Sequence, residues 1–208
     1  MAGDPSTGLS GYAHSLHTRW QLAADATEAR RREDLAAAAI LGAEAWHWPI
    51  PDCIYRHHPV NGEALYQSDS DIFGEVHPAE LPLLDDLTTR LADLPACDRI
   101  VAPLTVGHHV DHQLTRRAAE QCFGPRLEFY EDFPYVQTAG SLDFLPAAAW
   151  DFTIMPVSPT ALRARIEAIL AYRSQLSTFF TDQADLEQQV LGYAATVGGE
   201  RLWRRVAG

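Results

Sequence analysis

Residues 99–112 read Arg-Ile-Val-Ala-Pro-Leu-Thr-Val-Gly-His-His-Val-Asp-His. The run Arg99–Val106 is apolar and of strand length. Gly107 supplies a turn, and H-x-D-H then opens a segment, Asp111–Cys122, with helical character. His109 and His112 are three apart, so within a first helical turn they share one face. Imidazoles so placed can bind a divalent metal, with Asp111 between them to orient one ring. A plainer reading is a solvated helix start in which Asp111 is favoured by the helix dipole. Placement directly after an apolar strand, with acids at neighbouring strand ends, brings the metal reading level with the plainer one.

Working outward, strands and helices alternate. Tyr12–Leu22 reads as a short helix. Asp25 and Glu28 form a D-x-x-E capping box for an alanine-rich helix, Glu28–Leu41, with Gly42 as its stop. Ala45–Ile50 is a candidate buried strand ended by Pro51, and 52–76 reads as loop. Pro78 suits the first turn of a helix to Leu94. Leu127–Tyr130 and Trp150–Val157 are further strands. Ser158-Pro159 starts a helix to about Leu176, and Asp182 caps another to about Ala195. Near-continuous apolar strands separated by helices predict an α/β, Rossmann-like fold with a mostly parallel sheet covered by helices on both faces. No repeat or linker divides residues 1–208, which read as a single domain. Ligands in such folds sit outside the carboxyl ends of the strands. Three strand ends carry suitable groups: Asp52, Tyr55 and Arg56; Gly107 to His112; and Glu131 with Asp132.

The 208-residue chain carries 16 cationic and 28 acidic side chains, a net charge of −12, and every cation is arginine. Without lysine there is no Schiff-base, pyridoxal-phosphate or Walker-type phosphate chemistry. The acidic balance argues against a general nucleic-acid partner. Cys53, Cys97 and Cys122 form no C-x-x-C pair, and a reducing cytoplasm is expected. No apolar run reaches transmembrane length. The opening MAGDPSTGLS has neither the basic start nor the apolar stretch of a signal peptide.

Other histidines have simpler explanations. His14 and His17 share helical spacing but read as surface or packing residues, and His57 and His58 sit in a polar loop. His77-Pro78-Ala79-Glu80 is best explained by a proline-initiated helix. No G-x-S-x-G is present, so an elbow-type serine hydrolase has no support.

Taken in order, several segments resemble the PIG-L/LmbE-like deacetylases. They are Ala29-Arg30-Arg31-Arg32-Glu33-Asp34 with Leu41-Gly42-Ala43, then Pro51 to Arg56, Gly107 to His112, and Tyr130-Glu131-Asp132-Phe133-Pro134-Tyr135. Tyr172-Arg173-Ser174-Gln175 and Gly199 to Trp203 complete the set. The resemblance implies a Rossmann-like zinc enzyme that removes an N-acyl group, usually acetyl, from an amino sugar or related small molecule by zinc-activated water. It implies His112 as a ligand for zinc or another divalent metal. His109 would stabilise the oxyanion or protonate the leaving amine, and Asp111 would orient a histidine. Arg30 and Asp52 would contact substrate or hold the pocket.

The family's first strand ends in an H-P-D-D-like motif supplying further metal ligands and a general base. No H-x-D-D occurs in these 208 residues. The expectation is an N-terminally incomplete domain with a partial metal site and marginal stability. Three functions follow. The first is an N-deacetylase of small N-acylated amines, without nucleic-acid or membrane partners. The second is a truncated, catalytically silent relative acting as a binding or interaction domain. The third is an unrelated metal hydrolase using His109, His112 and Glu131.

Overall fold

The computed structural model describes residues 2–5, 8–22 and 25–206; the opening decapeptide therefore lies partly outside the described residues. In chain order the elements are α1 (Gly11–Arg19), α2 (Ala26–Leu41), α3 (Asp69–Ile72), α4 (Leu81–Ala92), β1 (Ile100–Pro103) and α5 (Val110–Phe123). They continue with β2 (Leu127–Tyr130), β3 (Trp150–Met155), α6 (Pro159–Ala171), α7 (Arg173–Phe179), α8 (Gln183–Val197) and β4 (Glu200–Arg205). They group into two compact units, one of residues 1–68 with 157–196 and one of 69–156 with 197–208.

In the first unit, α2 packs against α6. Gly42 closes α2 in the left-handed region at φ 66°, a conformation glycine adopts without penalty. Asp25 is the N-cap, but its side chain makes no capping bond, so the expected capping box does not form. The helix expected from Ser158 to Leu176 starts as anticipated, with the Ser158 hydroxyl accepting from Ala161 N. It breaks at Tyr172, where ψ is 57°. The break is anchored by α2. Glu33 accepts from the backbone N–H of Ser174 at 2.8 Å and from its hydroxyl at 2.6 Å. Tyr172 donates to Asp34 at 2.5 Å.

The strand expected over 45–50 does not form. Pro49 and Pro51 remove donors from the run. What remains is an isolated parallel bridge between Gly3 and Pro51, with Gly3 N–H donating to Ile50 O at 2.9 Å. A Cβ at Gly3 would lie 2.6 Å from the Pro49 carbonyl carbon, so this close approach requires glycine. Ile50 is buried whereas Trp46 is largely exposed. The loop expected over 52–76 holds a 3-10 turn, Cys53–Tyr55, besides α3.

The second unit is built on a four-stranded sheet ordered β1-β2-β4-β3. The α/β class is as expected, but within this sheet parallel pairing is confined to β1 and β2, with Ile100 opposite Leu127 and Pro103 opposite Tyr130. β4 is antiparallel to both β2 and β3. Between α8 and β4, Gly198 and Gly199 take φ of 84° and 142°. A Cβ at Gly199 would lie 2.1 Å from Met155 O, so only glycine passes. The core is Ala102, Leu104, Ala119, Leu127, Phe129 and Trp150, contributed by β1 and the residue that follows it, α5, β2 and β3. α4 packs on α5, which lies against β1 and β2. No helix among the described residues is long and apolar enough to cross a membrane.

Candidate active site

The chain between β1 and α5 forms one wall of the site. Leu104 N–H donates to Tyr130 O at 2.9 Å, extending the parallel ladder one step past β1. Thr105 and His108 then adopt φ of 65° and 56°. Non-glycine residues pay about 1–3 kcal/mol for such geometry, and it clusters at functional sites. Gly107 lies under the ring of Tyr135, where a Cβ would meet Cγ at 2.6 Å. Gln113, buried, clamps the loop by donating to His108 O and to Gly74 O, both at 2.7 Å.

His109 is the N-cap of α5; its Nδ1 accepts the backbone N–H of Asp111 at 3.2 Å. With Nδ1 accepting, the neutral ring carries its proton on Nε2. The ring meets Phe73 edge-on at 5.5 Å and lies 5.4 Å from the ring of His112. His112 Nδ1 donates to Asp132 Oδ1 at 2.5 Å. The second oxygen of Asp132 accepts the Val106 N–H at 3.0 Å. Asp132 is almost wholly buried. This carboxylate fixes the tautomer of His112 and leaves Nε2 with its lone pair, the arrangement found behind metal-ligating histidines. On that donor chemistry His112 fits a zinc ion.

Asp132 thus plays toward His112 the part of orienting acid, while Asp111 meets His109 through its backbone. The signal for Asp132 was its position two residues past β2. Burial, with Asp132 as second cause, pushes the Tyr135 phenol up to about 12. The same causes raise Tyr130, so both phenols stay protonated at neutral pH.

Glu131 is not free for a metal. Its side chain is buried, pairs with Arg201 Nε at 2.7 Å and accepts Trp203 Nε1–H at 2.7 Å. This corrects the unrelated-hydrolase reading, which required Glu131 as a ligand: β4 has claimed the carboxylate.

In the first unit, Arg30 and Asp52 are brought together at 2.8 Å. They line a cavity of about 220 Å³ with Asp34, Trp46, Tyr55 and Tyr172. Asp52 also caps the 3-10 turn by accepting from Ile54 N. Burial, then Asp52, raises the Tyr55 phenol. Its hydroxyl meets Nε2 of the buried His17 at 2.6 Å, so His17 is a packing histidine. His77 caps the proline turn, accepting from Ala79 N at 3.1 Å.

Asp34 sits between the Tyr172 hydroxyl and His47 Nε2, at 2.5 and 2.6 Å. Burial pushes its carboxyl up, but these two hydrogen bonds outweigh it and hold the group below its ordinary value. A depressed carboxylate contributes stability that is complete above its unfolded pKa, about 3.9, and is lost as pH falls through the folded value. Tyr172→Phe removes one donor and lets the folded value rise. Its acid-unfolding midpoint, followed by circular dichroism, is expected at higher pH than wild type; coincident curves would contradict this account.

No family model matches the sequence, and no curated protein matches it at a significant level. Solved structures do. The zinc-inhibited form of teicoplanin deacetylase Orf2 superposes with a TM-score of 0.82 at 24% identity, over 100% of this chain and 85% of that one. A deacetylase complex from teicoplanin biosynthesis gives 0.77 at 26% identity, over 100% and 85%. The A40926 pseudoaglycone deacetylase Dbv21 gives 0.71 at 26%, over 99% and 82%. The chain shares the fold of these deacetylases.

Proposed function

We propose that the protein is a zinc-dependent N-deacetylase acting on an N-acylated amino sugar, free or carried on a larger small molecule. The observation that supports this best is the His112–Asp132 pair at 2.5 Å, placed at the carboxyl end of a parallel strand pair. The neighbouring structures are deacetylases, one of them in a zinc-inhibited form and one in complex with teicoplanin. Zinc, when bound, supplies Lewis acidity toward an amide carbonyl.

The chain's own residues do the rest. His112 offers Nε2 to the metal. His109, with its proton on Nε2, donates to the oxyanion or to the departing amine. Asp111, in the first turn of α5, fixes the His109 ring through its backbone N–H. Arg30 and Asp52 present a paired donor and acceptor to sugar hydroxyls. The compartment we infer is cytoplasmic, in keeping with three cysteines and no disulfide among the described residues.

The test is acetate release from an N-acetylglucosaminide by the zinc-loaded chain, wild type against His109→Ala. Loss of a positioned proton donor is expected to slow release about 10²–10⁴-fold. Stoichiometric zinc without acetate release from any N-acetyl amino sugar would favour the silent-relative reading.

A further inference from the structure

A second cavity, of about 490 Å³, opens in the sheet unit along α5. Three arginines line it, Arg116, Arg117 and Arg205, with Glu120 as the acid among them and the polar side chains of Thr105, His108 and Gln113 beside them. In a chain of net charge −12 this is a local reversal of sign. Arg116 and Arg205 share one acceptor, Glu120 Oε1, at 3.2 and 2.9 Å. Both guanidinium groups also lie over the Trp150 ring, at 5.2 and 4.9 Å. Two cations therefore crowd one aromatic and one carboxylate oxygen. Burial, the largest influence, and the charge of Arg205 both disfavour the charged form of Arg116. Arg117 makes a long hydrogen bond to Gln113, at 3.3 Å, and stands 3.8 Å from Glu75. An entering anion would relieve this crowding.

Two more features mark the place. The lining also holds an apolar run, Phe144, Leu145 and Pro146, with Phe144 about half exposed. The lining also includes Thr105 and His108, two of the three described non-glycine residues at positive φ. Thr105 is β-branched, for which that backbone is an outlier. Arg116 itself is committed, donating to Leu104 O at 2.7 Å and bracing the end of β1. The ligand-facing cations are thus Arg117 and Arg205, which are far more exposed than Arg116.

We propose that this cavity binds an amphipathic organic carboxylate, its acid on Arg117 and Arg205 and its apolar body on Phe144, Leu145 and Pro146. The site needs neither zinc nor deacetylation, so its test is separate from the proposed function.

The experiment is calorimetric titration of the full chain with octanoate, octanamide and inorganic phosphate. Octanoate is expected to bind about tenfold or more tighter than octanamide, the scale of one charge-assisted hydrogen bond. Its affinity should fall with added salt. The double variant Arg117→Gln with Arg205→Gln should lose that preference while octanamide binding stays. Phe144→Ala, at an exposed position and safe for folding, should weaken octanoate and spare phosphate. Equal binding of octanoate and octanamide, phosphate binding as tightly as octanoate, or no octanoate binding at millimolar concentration would each overturn the proposal.

Discussion

His112→Ala is expected to strip the protein of zinc. The ring owes its usefulness to Asp132, which accepts a hydrogen bond from Nδ1–H at 2.5 Å and leaves Nε2 as a lone-pair donor. Alanine removes the donor outright, and Asp132 is left buried with only the Val106 N–H on its second oxygen. Asp132→Asn is the graded version. The amide still accepts or donates, but no longer fixes the charge behind the ring. Loss of such an orienting partner costs about 10–100-fold in metal affinity. Metal analysis of dialysed protein should therefore rank wild type above Asp132→Asn and place His112→Ala last. Equal zinc in wild type and His112→Ala would remove His112 from the metal site and with it the main support for the deacetylase reading.

Glu131→Ala is expected to be the most damaging single substitution for folding. The carboxylate is buried and holds Arg201 and Trp203, tying the end of β2 to β4. Removing one member of a buried ion pair costs about 3–5 kcal/mol, because the remaining charge is left without compensation. Arg201 is about one-quarter exposed, which places the cost near the lower end of that range. For a chain of this length, about 3 kcal/mol lowers Tm by roughly 6–12 °C. Glu131→Gln keeps an acceptor for Trp203 Nε1 and should lose less. Neither variant should change zinc content in protein that remains folded. A drop in zinc for folded Glu131→Gln would return this residue to the metal site and overturn its assignment as a structural tie.

Glu131 and Asp132 are adjacent, equally acidic and equally near a strand end. Successive side chains point to opposite sides of an extended chain, so the two must part company. Which of them meets histidine and which meets arginine depends on what α5 and β4 bring to each side. His112 lies 20 residues before Asp132, and Arg201 lies 70 after Glu131. No local pattern carries that information.

The same distinction applies to the fold. The helix stop at Gly42, the Ser158 cap and the strands Ile100–Pro103 and Leu127–Tyr130 were legible because their causes are local: a left-handed cap, a hydroxyl beside a free N–H, a short apolar run. The α/β class and the loop bearing His109 and His112 followed from them. The 45–50 segment misled because its apolar character was real while its prolines denied it a ladder. Strand direction after Gly198-Gly199, the break at Tyr172 and the gathering of Arg116 and Arg205 on Trp150 were settled by tertiary contacts alone. Burial and long-range pairing choose among conformations that local propensity leaves nearly equal, and those choices exist only once the chain has folded.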